Sequence, residues 1–344
     1  MMADKSWSTE LTDHEAELYD RQIRLWGLDS QKRQVELCEH FWNDTAKVLL
    51  IGLNGFGAEI AKNIILAGVK AVTFVDHRKV TSEDRCSQFL IPKESIGKNR
   101  AEASLERATS LNPMVDIKAK TENVEDLKNS FFKSFHVVCV TECNTTQLER
   151  INRICRNNNV KFFAGDVWGT FGYIFADLVT HEFVEDSIQT KKVQLSEHGE
   201  PVEKEKFESI TVTEKHRDSF VPIRHVLNLY KSGVPKDSDL YYLMLILLGY
   251  REKHGKDLLP SERGSNALKA VVEEISQKYD VGDEINDLIE SDIYAQVSPV
   301  CAIVGGIMGQ EIIKTVSQKG TPHNNLFLFD PRTMCGKVFK LGYV

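Results

Sequence analysis

Three groups of residues have the types and spacing to do chemistry. Gly52, Gly55 and Gly57 follow the apolar run Lys47-Val48-Leu49-Leu50-Ile51 and lead into a helical pattern. A glycine turn between strand and helix lets backbone N–H groups face a phosphate, aided by the helix dipole. Asp76, nineteen residues beyond Gly57, closes the next strand, where an acidic residue can hold a ribose hydroxyl. The glycine order is G-x-x-G-x-G rather than the dinucleotide G-x-G-x-x-G, so a tight turn with no ligand stands beside the nucleotide reading. Arg21 and Arg24 project from a helix whose other face carries Tyr19, Ile23 and Trp26; spacing alone makes them a solvated basic face. The seven cysteines are odd in number and show no C-x-x-C pair, which indicates neither a disulfide framework nor a zinc site. None lies between Cys155 and Cys301. Histidines such as His216 and His225 lack ligand spacing, and no catalytic triad is visible.

The elements that must position these groups alternate. Thr12 and Glu15 have capping-box spacing, so a helix is expected from about Asp13. Residues 47–52 read as a buried strand, Ala58 to Ala67 as a helix, and Ala71 to Val75 as a second strand. Arg100 to Ser110 reads as a helix, Val137 to Val140 as a strand, Leu148 to Asn157 as a helix and Val160 to Ala164 as a strand. Alternation of this kind means a Rossmann-like doubly wound α/β sheet with right-handed parallel crossovers. His181 to Arg217 is charged without strong periodicity and reads as a surface connection. Asp239 to Gly255, Ala267 to Gln277 and Asp283 to Glu290 read as helices of an insertion. Ser298 as N-cap and Pro299 at the first turn open a further apolar helix that Gly320 follows. Gly305, Gly306 and Gly309 within it would allow close backbone approach, in the core or against a partner. Leu326 to Phe329 is a last strand. The organisation expected is 12–180 for the first part of one domain, 181–297 for a largely helical insertion, and 298–344 for the return.

A chain of 344 residues with 42% hydrophobic and 27% charged residues can bury a substantial core. Its net charge of -7 argues against nucleic acid as the main partner, since phosphate binding wants clustered Lys and Arg. No segment reads as long and apolar enough to span a membrane. The polar stretch Met1 to Glu10 lacks the apolar core of a signal peptide, so an intracellular, reducing compartment is expected.

Several motifs then carry a family resemblance. Tyr19-Asp20-Arg21-Gln22-Ile23-Arg24-Leu25-Trp26-Gly27 resembles the opening signature of ubiquitin-like activating enzymes in its SUMO form. Gly52-Leu53-Asn54-Gly55-Phe56-Gly57-Ala58-Glu59-Ile60 is similar to that family's adenylation loop. Ile96 to Ala108 with Leu111-Asn112-Pro113, Phe162 to Gly172, Pro299 to Gly306 and Pro322-His323-Asn324-Asn325 are similar too. The combination resembles the smaller, regulatory subunits of heterodimeric SUMO-activating enzymes. It implies a ThiF/MoeB-type adenylation fold with a helical insertion.

What the resemblance implies for the site is mostly loss. The catalytic half of such enzymes carries D-x-D-x-x-x-x-x-N-L-x-R-Q-F after its second strand. Anchored on Gln88-Phe89, this chain has Asp76 in the first place, Arg78 in the second, Asp84 for the Asn and Ser87 for the Arg. The catalytic Lys falls at Arg100, and the metal-binding Asp falls at Cys143 beside Asn144. Forming an acyl-adenylate needs cations and magnesium against the α-phosphate, and a thiol is a poor magnesium ligand. The resemblance therefore implies a degenerate, unused pocket at Gly52, Gly55, Gly57 and Asp76, and no metal held by this chain. The resemblance implies that the thioester cysteine lies on the catalytic partner subunit, since this chain's insertion region has none. Arg21 would act in trans, reaching the phosphates of ATP bound with Mg2+ by that partner. The implied function is support of SUMO adenylation and thioester transfer, the first step of sumoylation. The alternative is the regulatory half of an activating enzyme for another ubiquitin-like modifier. A self-sufficient adenylating enzyme is disfavoured by Ser87, Arg100 and Cys143. The resemblance also implies a nuclear location, with cytoplasmic presence as well. Gln34 to Asp44, with Cys38, Phe41 and Trp42, departs from the family as an apparent insert.

Overall fold

The computed structural model describes residues 46–193, 206–229, 233–234, 239–281 and 284–343. The helix expected from Asp13, Arg21 and the apparent insert 34–44 lie outside them.

Period-2 alternation with apolar residues on both faces makes strands that must be covered twice. In β1 (Lys47–Ile51), Val48 and Leu50 join one core cluster while Leu49 and Ile51 join the other. β4 (Val137–Val140) divides in the same way, Val138 and Val140 against Val137 and Cys139. The layer between the clusters is an eight-stranded sheet whose spatial order is β10 (Cys335–Phe339), β9 (Leu326–Asp330), β6 (Phe171–Asp177), β5 (Lys161–Trp168), β4, β1, β2 (Ala71–Val75) and β3 (Asp116–Lys120). β2, β3, β1, β4 and β5 run parallel. β6, β9 and β10 continue the sheet antiparallel. The order reverses between β1 and β4, which opens a crevice at their carboxyl ends.

On one face lie α1 (Gly55–Leu66), α2 (Arg100–Leu111) and, from the end of the chain, α9 (Ser298–Ser317). Between β3 and β4 lies the short α3 (Asn129–Phe132). α4 (Thr145–Asn157) covers the opposite face with α5 (Ile223–Leu227), α6 (Asp239–His254), α7 (Asn266–Tyr279) and α8 (Glu284–Glu290). α6 shows no amphipathic stripe because it is buried on nearly every side, from Leu240 to Arg251.

Four expectations need correction. The stretch His181 to Arg217 is not a loose connection: β7 (Thr180–Val193) and β8 (Lys206–Ser219) pair as an antiparallel ribbon. A two-stranded ribbon with Glu182, Glu185 and residues 213–217 exposed buries no continuous face, so alternation left no signal. At α9 the N-cap is Val297 without a side-chain bond, and Ser298 with Pro299 forms the first turn. α9, 20 residues long, does meet the length and apolarity of a membrane span, yet about half of it is buried within the chain. It packs on α1 and beneath β5 and β6, so its apolar composition is that of a sandwiched layer. Its glycines are also unequal. A Cβ at Gly305 would stand 2.6 Å from Glu59 Cβ and one at Gly309 2.6 Å from Asn63 Cβ, whereas Gly306 faces open space. The close approach is thus between α9 and α1 of the same chain.

Candidate functional site

The crevice at the ends of β1, β2 and β4 is a cleft of about 230 Å3 bounded by Gly52, Asp76, Arg78, Glu142, Cys143 and Arg251. Gly52 ends the β1 strand with φ +87°, and its N–H donates to Val75 O at 3.0 Å. A side chain there would be strained and would overlap Thr141 Oγ1. Gly55 opens α1 against Ser87, and a Cβ at Gly57 would overlap the carbonyl oxygen of Gly52.

Three of the N–H groups around the turn, those of Leu53, Phe56 and Gly57, are engaged. Asn54, the N-cap of α1, accepts from Gly57 N through Oδ1 at 2.8 Å. Gln296 Oε1 accepts from Phe56 N at 3.2 Å, and Asp76 Oδ2 from Leu53 N at 2.7 Å. Asp76, 4% exposed, also accepts from Arg78 N through Oδ1 at 2.9 Å and from Arg100 Nε through Oδ2 at 2.7 Å.

Arg100 is the centre of a buried ion network. It pairs with Asp76, with Asp84 at 3.2 Å and with Glu142, while Arg78 reaches the other Glu142 oxygen at 2.6 Å. Burial opposes its charge, but the carboxylates of Glu142, Asp76 and Asp84 hold the guanidinium still more firmly protonated. The three positions aligned with an activating enzyme's second Asp, Asn and Lys therefore hold Arg78, Asp84 and Arg100, which bind into one network through Glu142 and Asp76.

A second network lies behind the first. Asp166, from the middle of β5, accepts both the Glu142 N–H and the Arg251 guanidinium, the latter at 2.6 Å. Arg251 comes from α6, bonds Cys143 O at 3.0 Å and Asp257 at 2.7 Å, and stacks 5.0 Å from the Trp168 ring centroid. Burial lifts the Asp166 carboxyl to about 6 against the pull of Arg251. Burial likewise pushes the Cys143 thiol up to about 12, leaving it neutral. Among the described residues no group of His, Cys, Asp and Glu is placed to hold a metal ion.

These residues do not fit a nucleotide. The N–H donors at Leu53, Phe56 and Gly57 are already bonded, both Asp76 oxygens are engaged, and the cleft is smaller than the roughly 300–1,000 Å3 of ligand pockets. The structure brings Gly52, Gly55, Gly57 and Asp76 together, and Arg21 lies outside the described residues. Sequence reading missed Glu142, Gln296, Asp166, Arg251 and Asp257. Asp166 alone left a signal, a carboxylate inside the apolar strand Phe162-Phe163-Ala164-Gly165-Asp166-Val167-Trp168.

Known proteins resemble the chain along nearly its whole length. The model of the ThiF family matches residues 19–343. A Xenopus laevis protein named SUMO-activating enzyme subunit 1 is 44% identical over 346 residues, covering 96% of this chain and 97% of that protein. The Homo sapiens protein of that name is 42% identical, covering 96% of each. The Danio rerio protein is 40% identical, covering 94% of this chain and 93% of that protein. With its doubly wound sheet, its glycine turn at the switch point and matches along nearly its whole length, the chain belongs to the ThiF family.

Proposed function

We propose that the chain is the regulatory subunit of a heterodimeric SUMO-activating enzyme. It supports ATP-dependent adenylation of the SUMO C-terminus and the thioester transfer that follows, to a cysteine of the catalytic partner subunit. The observation that carries this reading is an adenylation-type crevice whose phosphate-facing N–H groups and carboxylates are bonded to the chain's own residues. A subunit built this way works by completing another subunit's site. ATP and Mg2+ are then held by that partner, and Arg21 enters its site as a permanently charged, bidentate phosphate contact. The assembly acts in the nucleus.

ATP–pyrophosphate exchange tests the reading with SUMO present. The purified chain alone should give no exchange, and mixing with the catalytic subunit should restore it. SUMO-dependent exchange by the chain alone, or full exchange by the catalytic subunit without it, overturns the proposal.

A further inference from the structure

Away from the crevice, a groove of about 820 Å3 runs between α4 and the segment that leads into α5. Arg150, Arg153, Arg156 and Arg224 line it, with Val179 and Pro222 as apolar walls. Glu149 is the carboxylate on its lining. In a chain of net charge -7 this concentration of guanidinium is against the general trend.

The floor of the groove is built. Asp177, fully buried, accepts from Arg156 at 2.7 Å, from Asn152 at 2.9 Å and from Val179 N at 3.0 Å. Asn152 in turn accepts from Ile223 N at 3.0 Å, which fixes the start of α5 against α4. Arg156 is thereby neutralised and held in place. Arg150 donates to Val124 O at 2.7 Å and lies 6.0 Å from the Phe132 ring centroid, so its position is set without an acid to cancel its charge. Arg153 and Arg224 are exposed and make no ion pair among the described residues. The guanidiniums of Arg150, Arg153 and Arg224 thus have no ion-pair partner among the described residues, and the carboxylate of Glu149 on the same lining accepts from Asn228 at 3.4 Å.

We infer that this groove docks an extended, acidic peptide segment of another protein. Guanidinium binds carboxylate or phosphate oxygens in bidentate fashion, which suits side chains spaced along a strand-like peptide. The apolar walls accept the intervening side chains, and about 820 Å3 holds a few residues. A short acidic segment feels chiefly the local field within about 8 Å, whereas a long nucleic acid would meet the net negative surface.

Fluorescence anisotropy on the full chain tests it, using a labelled peptide of Asp, Glu and Gly, the same peptide with Asn and Gln, a phosphoserine version, and a single-stranded DNA oligonucleotide. The acidic or phosphoserine peptide should bind at low salt, weaken as salt rises, and lose at least ~10-fold in affinity when Arg153→Glu and Arg224→Glu are combined. Lys118→Glu, an exposed change elsewhere, should leave binding unchanged. Thermal melting verifies that each variant is folded. Equal binding of the Asn/Gln peptide, indifference to the double charge reversal, or tighter binding of the oligonucleotide overturns the assignment.

Discussion

Arg100 Nε donates to the same Asp76 oxygen, Oδ2, that accepts the Leu53 N–H, at 2.7 Å in each case. The carboxylate at the end of β2 is thus tied to the glycine turn and to α2 at once. Its place in the fold is that of a ribose ligand, and its bonds are those of a structural clamp.

Arg100→Ala should therefore destabilise the chain by ~3–5 kcal/mol, because it removes the counter-charge of the buried Asp76 and of the half-buried Asp84 and leaves Glu142 to Arg78 alone. Equilibrium urea unfolding measures this. A loss under about 1 kcal/mol would mean that the cleft hydrates the carboxylates readily.

Gly305→Leu and Gly306→Leu should part company. The first forces a side chain onto Glu59 and should cost ~1–3 kcal/mol or more in the isolated chain. The second points into open space and removes a mid-helix glycine, so melting should hold or rise slightly. If α9 is also a contact with the partner subunit, Gly306→Leu weakens assembly alone, as titration of the two subunits would reveal.

His181 predicts an acid-labile component of stability. The residue is 2% exposed, its Nε2 has no hydrogen-bond partner among the described residues, and burial with Lys161 nearby lowers its pKa to about 4. An unfolded histidine titrates near 6.5. The folded value is depressed, so the contribution is fully present above about pH 6.5 and is lost as pH falls towards 4. His181→Phe should flatten the fall in melting temperature across that window. An unchanged slope would assign the acid sensitivity to other groups.

Cys143→Ser and Cys155→Ser should leave the activity of the assembled enzyme largely intact. Both thiols are buried and burial raises both above the ordinary thiol range, so neither is a ready nucleophile. Alkylation of the native chain, read by mass spectrometry, should label Cys86 and Cys335 while sparing Cys139, Cys143, Cys155 and Cys301. Thioester formation lost in a folded, assembled variant would show one of them to be chemical.

Arg21→Ala should leave the heterodimer assembled and slow SUMO adenylation roughly 30- to 1,000-fold, the scale of ~2–4 kcal/mol for one charge contact. Arg21→Lys should recover part of that rate, because the charge remains and the fork is lost. Pyrophosphate exchange at matched assembly decides it. Wild-type rates in Arg21→Ala would leave this residue a solvated charge with no part in the chemistry.

The alternating strands and helices from Lys47 to Ala164 were legible because each carries a strong local pattern. α1 and α4 begin three residues earlier than their apolar periodicity suggests, since Asn54 and Asn144 supply the caps. β3, with the exposed and half-exposed sequence Asp116-Ile117-Lys118-Ala119-Lys120, left no such pattern, as expected of a sheet edge. The glycines and Asp76 of the site were legible as a motif. What fills the site was not, because Gln296 lies 240 residues from its Phe56 partner and Arg251 lies 85 from Asp166. Pairings across such separations are made by topology, and a one-dimensional pattern does not carry them.

Arg251 has a further consequence for how the chain is organised. It springs from the helical segment between the two stretches of sheet, yet its bonds reach the carboxylate of β5 and the carbonyl of Cys143 after β4. Excising that segment as a cassette would orphan a buried acid in the centre of the sheet. The helices and the sheet should accordingly melt in one cooperative transition, and transplanting this insertion between relatives would succeed only if Asp166 travelled with it.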